Sequence, residues 1–165
     1  MKKNLFLLLL FTLSLSACAQ NNAQNKYGLK VINDFKAYQA EVAKNPNLAL
    51  IEIKKAIPSV VLEIRYATKN NFMGQVMYKQ ARAFARKPVV EKLKLIQAEL
   101  KKKGYGLKIY DGYRPYAVTV SFYEKATDKN FVANPAKGSK HNRGCAVDLS
   151  IIDLKTGKDV PMPTP

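Results

Sequence analysis

Histidine occurs once in the 165 residues, at His141, and seven positions later an aspartate, Asp148, sits between Val147 and Leu149. A neutral imidazole and a carboxylate are both good zinc ligands. Segment 146–152 reads as a strand that is apolar except at Asp148 and Ser150. A carboxylate inside such a strand needs a partner, because burying it unpaired is expensive. A divalent metal is one such partner. One of the chain's 28 Lys and Arg residues is another, with His141 then an ordinary surface or core histidine. Spacing alone leaves both readings open, since two-ligand patterns arise easily by accident. Gly138 and Gly144 on either side of the imidazole let the backbone turn closely around it.

A second group with chemical capacity is Arg114, in the run Asp111-Gly112-Tyr113-Arg114-Pro115. This run is a tight turn between a strand at 107–110 and a helix at 116–127, where Val118, Phe122 and Lys125 recur at helical spacing. An arginine at a strand-to-helix corner can present its planar fork to a carboxylate or oxyanion. It can equally form a structural ion pair with Asp111, and the sequence does not choose.

The elements that must hold these groups follow from periodicity. Segment 88–103 is the clearest helix, with Pro88 at the first helical position and Val89, Leu93, Ile96 and Leu100 as its apolar stripe. Lys101, Lys102 and Lys103 favour its last turn, and Gly104 closes it. A shorter helix fits 34–43 and is broken by Asn45-Pro46-Asn47. Strands are expected at 48–53 and at 59–66, where Val60, Leu62 and Ile64 alternate with Val61, Glu63 and Arg65. Segment 67–74 is a polar loop in which a buried Phe72 would serve as anchor, and 153–159 reads as a hairpin turn. The expected fold is α+β: a small antiparallel sheet flanked by helices, in a single domain.

Composition narrows the function classes. Lys+Arg 28 against Asp+Glu 12 gives a formal net charge of +16. Such an excess suits nucleic acid, anionic lipid or an anionic wall polymer. The lysines are scattered rather than blocked, and no nucleic-acid-binding signature accompanies them, so a solvated surface is favoured and no nucleic-acid partner is expected. Met1-Lys2-Lys3 followed by an apolar run at 5–15 and Leu15-Ser16-Ala17-Cys18 has the form of a signal peptide, with a run too short to span a membrane comfortably. The last four residues resemble the lipobox of bacterial lipoproteins. On that resemblance 1–17 is a lipoprotein signal peptide, Cys18 carries lipid, 18–27 is a flexible tether and 28–165 is the domain. The mature protein is then lipid-anchored in the bacterial cell envelope and periplasm-facing. With Cys18 acylated, Cys145 has no partner for an internal disulfide.

Three stretches in order resemble the zinc D-alanyl-D-alanine dipeptidases, the group that includes the vancomycin-resistance dipeptidases. They are Tyr66-Ala67-Thr68 with Asn71-Phe72-Met73-Gly74, then Asp111-Gly112-Tyr113-Arg114-Pro115, then the run from Ser139 through His141 and Gly144 to Asp148 and Leu149. The broader zinc D,D-peptidase group shares the Ser-x-His and Ala-Val-Asp elements. The resemblance implies a zinc metallopeptidase that hydrolyses the D-Ala-D-Ala dipeptide in cell-wall metabolism, with one Zn2+ per chain. It makes His141 and Asp148 two of three zinc ligands, Arg114 the group that steadies the carbonyl oxygen as charge develops, and Ser139 part of the dipeptide pocket. The family's third ligand, a histidine after a general-base glutamate, has no counterpart: His141 is the only histidine and nothing after Asp159 is acidic. The sequence is therefore expected to be truncated at its C-terminus. Cys145 could supply a ligand, but it stands where the family uses small residues, which favours packing. Two alternatives remain: a non-catalytic remnant that binds wall peptides or anionic wall polymer, and a D,D-carboxypeptidase acting on longer wall peptides.

Overall fold

A computed structural model of the chain describes residues 25–162. The expected signal peptide, Cys18 and most of the tether lie outside the described residues. Among those described, no helix is long and apolar enough to cross a membrane.

Helix α1 (Phe35–Lys44) starts at Asp34, whose carboxylate accepts the backbone N–H groups of Lys36 and Ala37. Such a cap satisfies donors that the first turn otherwise leaves orphaned. A short 3-10 turn at Pro46–Leu48 leads into β1 (Leu50–Glu52) and the single turn α2 (Ile53–Ala56). Strand β2 is only Val61–Leu62, and β3 (Phe84–Arg86) runs directly into helix α3 (Lys87–Lys102). The central strand β4 (Tyr105–Asp111) is followed by helix α4 (Tyr116–Lys125) and, after a long loop, by β5 (Asp148–Asp153).

Two small sheets result. Strand β1 pairs antiparallel with β3, and a three-stranded sheet has the order β2-β4-β5. The α+β class is as expected, but the larger sheet is mixed rather than wholly antiparallel, because β2 pairs parallel to β4. The reason lies in the expected strand at 59–66. Its inward alternation holds, with Val60 and Ile64 buried. Its pairing stops after Leu62, and the chain turns off through a 3-10 helix at Arg65–Ala67. The return to β4 then comes by way of β3 and α3, a crossover long enough to join parallel strands.

The core gathers Ile53, Val60, Ile64, Ala85, Val90, Leu93, Leu107 and Ile109 between α3 and the two sheets. The stripe of α3 holds at Leu93, which is buried, and at Val89 and Leu100, which pack partly buried against the core, but Val90 and Gln97 are also buried and Ile96 is 46% exposed. A glutamine on the buried face hides the register from a hydrophobicity reading. It is tolerated because its Oε1 accepts the Leu107 N–H at 2.8 Å and its Nε2 donates to Ser59 Oγ at 3.1 Å, and a buried polar group so paired costs little. Phe72 is not the buried anchor expected, being 45% exposed, although its ring still packs edge-on against Phe122 with centroids 4.9 Å apart. The turn after β5 closes as expected, with Ile152 bridged to Asp159.

What matters for the site is the end of the β4–β5 ladder. Pairing runs in step from Tyr105 opposite Asp153 to Ile109 opposite Leu149, then shifts so that Asp111 stands opposite Asp148. Two carboxylates thus end adjacent strands. Like charges placed opposite one another destabilise a ladder, so something at this end must compensate them.

Candidate metal centre beside a buried arginine

Asp111 is compensated completely. It is 1% exposed. Its Oδ1 accepts from the Tyr78 hydroxyl and from the Gly112 N–H, both at 2.8 Å. Its Oδ2 accepts from Arg114 Nη2 at 2.7 Å and Nε at 3.1 Å. The ion-pair reading of Arg114 is therefore correct, and it fixes the guanidinium rather than consuming it. Both bonds leave from Nε and Nη2, so Asp111 does not use Nη1. The guanidinium carbon lies 4.9 Å from the Phe122 ring centroid and 5.3 Å from that of Tyr66, a cation–π arrangement that holds its plane. Burial alone would ease the proton off Arg114, but Asp111 outweighs this and raises its pKa. Burial, with Asp111 next in weight, pushes the Tyr78 phenol well above its usual range, so Tyr78 stays a donor.

His141 arrives on the loop between α4 and β5. The Arg114 N–H donates to the His141 carbonyl at 3.1 Å, and the His141 N–H donates to Ser139 Oγ at 3.1 Å. The imidazole Nδ1 lies 2.9 Å from the Gly112 carbonyl. A carbonyl only accepts, so Nδ1 carries the proton and a neutral ring presents its lone pair at Nε2. This is the arrangement that orients metal-binding histidines, in which the second ring nitrogen donates to a carbonyl or carboxylate. Two glycines allow close backbone approach here, Gly144 within the loop and Gly112 in the corner that carries the carbonyl. Gly144 has φ +67, and a Cβ there would meet Leu50 Cδ2 at 2.7 Å. A Cβ on Gly112 would lie 2.5 Å from the Phe84 carbonyl oxygen.

Asp148 faces the free imidazole nitrogen, with His141 Nε2 to Asp148 Oδ1 at 3.5 Å. Arg114 Nη2 lies 3.9 Å from Asp148 Oδ2. The Asp148 side chain is 52% exposed, against 2% for that of Asp111. The hydrogen bond to His141, against the cost of burial, holds the Asp148 carboxyl below its ordinary value. Burial pulls the His141 pKa down, but the hydrogen bonds to Asp148 and the Gly112 carbonyl more than offset it and leave the pKa raised.

The residues predicted from sequence do converge: His141, Asp148 and Arg114 share one corner, with Ser139 two residues from the imidazole and largely buried. The donor set also fits a metal. Tetrahedral zinc with bonds of about 2.0–2.2 Å to nitrogen and oxygen sets its ligand atoms roughly 3.3–3.5 Å apart, which is the spacing of Nε2 and Oδ1. Asp111 offers an oxygen within 4.8 Å of both, but every acceptor direction of its carboxylate is already taken. It anchors the arginine and is not a third ligand. Cys145 is exposed and directs its thiol to the Arg143 carbonyl at 3.4 Å, away from a ligand role. Sequence reasoning missed Tyr66 and Tyr78. Tyr66 lies in the first of the three resembling stretches, while Tyr78 gave no signal, because only the fold brings it to Asp111.

The D-ala-D-ala dipeptidase family matches residues 47–164, and the chain belongs to that family. It is 31% identical over 104 residues to a D-alanyl-D-alanine dipeptidase of Escherichia coli (strain K12), covering 63% of this chain and 54% of that protein. It is 29% identical over 130 residues to the D-alanyl-D-alanine dipeptidase of Enterococcus faecium, covering 67% of this chain and 64% of the relative. The protein of that name from Enterococcus faecalis (strain ATCC 700802 / V583) is 31% identical over 120 residues, covering 61% and 59%. The chain thus spans between about half and two thirds of these relatives.

Proposed function

We propose that this protein is a zinc-dependent peptidase that hydrolyses the D-Ala-D-Ala dipeptide in cell-wall metabolism. Family membership and the names of the relatives support peptidase action on that dipeptide. The observation that carries the reading is the 3.5 Å approach of His141 Nε2 to Asp148 Oδ1, with the Arg114 guanidinium fixed beside it. His141 and Asp148 would hold the ion. Catalytic zinc sites use three protein ligands, and no third ligand with free acceptor capacity lies within reach among the described residues. When bound, zinc lowers the pKa of a coordinated water to about 7 and so supplies hydroxide at neutral pH.

The chain's own groups do the rest. Gly112 holds the imidazole in the tautomer that exposes Nε2. Asp111 and the Tyr66 and Phe122 rings hold the Arg114 plane, leaving Nη1 to donate to an amide carbonyl as it becomes an oxyanion. A preorganised donor of this kind is worth about 3–4 kcal/mol in the transition state. Ser139 Oγ accepts from the His141 N–H, which leaves its own proton for a substrate carboxylate or carbonyl. Lipid on Cys18 would place this activity at the bacterial cell envelope, periplasm-facing; the leader sequence is the support for that.

Zinc content and turnover of D-Ala-D-Ala by the full chain, before and after chelation, test the proposal. Release of free D-Ala that stops on chelation and returns with zinc is expected. Zinc-dependent cleavage of tri- or pentapeptides with the dipeptide left intact would replace it with a carboxypeptidase.

A further inference from the structure

Asn142 follows the metal-site histidine and is turned inward from the loop. Its Oδ1 accepts the Ser139 N–H at 2.8 Å. Its Nδ2 donates to the Arg114 carbonyl at 2.9 Å and to Thr119 Oγ1 at 2.8 Å. These partners fix the amide's orientation, because an N–H needs the oxygen and a carbonyl needs the NH2. One side chain therefore touches the ligand loop, the arginine corner and α4, where Thr119 is 1% exposed.

We infer that Asn142 is a positioning residue that sets the register of the His141 loop against the Arg114 corner. Two hydrogen bonds join those backbones at this point: Arg114 N–H into the His141 carbonyl, and Asn142 Nδ2 into the Arg114 carbonyl. Both are directional. The first ties the two backbones directly, and the second adds a side-chain brace held from α4 by Thr119. Together they fix where Nε2 stands relative to both Asp148 and the guanidinium. The consequence for turnover rests on the peptidase reading above; the consequence for metal uptake does not.

Asn142→Asp is the sharp variant. It keeps the shape and the bond to the Ser139 N–H, but sets a carboxylate oxygen against the Arg114 carbonyl, acceptor against acceptor. Cobalt titration of the full chain, with cobalt standing in for zinc, should show an affinity about 10–100-fold lower, the usual cost of losing a group that orients a ligand. On D-Ala-D-Ala, kcat should fall more than KM rises, because the misplaced guanidinium meets the oxyanion only in the transition state. Thr119→Val should show a smaller loss and Thr119→Ser should restore it. Gln97→Ala is the control: it removes another buried bridging amide, at the far end of β4, and should lower the melting temperature with cobalt affinity unchanged.

Wild-type cobalt affinity in Asn142→Asp would overturn the inference. So would an equal loss of affinity in Gln97→Ala at a matched fall in melting temperature, which would make Asn142 merely structural. A wild-type chain that takes up no cobalt would also overturn it. A wild-type chain that binds cobalt without cleaving the dipeptide would sink the peptidase reading alone, and the affinity comparison would still decide the role of Asn142.

Discussion

Asp111 and Asp148 end adjacent strands and face each other across the ladder, yet their surroundings are opposite. Asp111 is sealed in and accepts four hydrogen bonds, two of them from Arg114. Asp148 is half exposed and, among the described residues, has the imidazole at 3.5 Å and the guanidinium at 3.9 Å. Acceptor saturation, not proximity, separates a carboxylate that builds a corner from one left with free acceptors. Arg114 gains a fixed plane from the first and lies beside the second.

The largest effect expected from this contrast is on Asp111. Asp111→Ala strands a buried guanidinium, and breaking such a pair from one side costs about 3–5 kcal/mol. Chemical denaturation should show that loss. Next comes Arg114→Lys, which keeps the charge but loses the fork held by Asp111 and the rings. Steady-state turnover should fall about 10²–10³-fold in kcat, the cost typical of one lost oxyanion donor, with a smaller change in KM. The smallest stability change belongs to Asp148→Asn, where a half-exposed pair is worth at most about 1 kcal/mol, so its denaturation midpoint should stay close to that of the wild type. A large loss there, or none in Asp111→Ala, would reverse the two assignments.

The same pair sets a pH dependence. In the metal-free chain His141 has a raised pKa and Asp148 a lowered one. Their mutual stabilisation is then fully present below the ordinary histidine value of 6.5 and is lost as pH rises through the raised folded value. At the acid end it is lost as pH falls through the Asp148 value, below 3.8. Metal uptake must displace the imidazole proton, so it strengthens with rising pH through the first of these windows. Melting of the metal-free chain from pH 6 to 9 should show a small downward slope that disappears in His141→Ala.

Much of this was legible in the chain. The lone histidine, the aspartate of an apolar segment and the arginine at a strand-to-helix corner each announced a group in need of a partner, and the fold brings all three together, although Asp148 opens β5 and is half exposed rather than buried inside the strand. The role of Asp111 was only half legible. Its pairing with Arg114 followed from adjacency, but its burial and saturation depend on Tyr78, 33 positions earlier in the chain, and on a register shift after Ile109 that no local pattern encodes. The face of α3 was misread at Ile96 because a hydrogen-bonded glutamine, Gln97, takes the core position there. The strand at 59–66 was read too long because alternation reports burial, which is present, and not pairing, which ends at Leu62.

Zinc titration of the wild-type chain and of Asp148→Asn by calorimetry at neutral pH tests the central claim most directly. The account predicts one equivalent taken up by the wild type and a severe loss of affinity in a variant that remains folded. Equal zinc binding by the two proteins would contradict it.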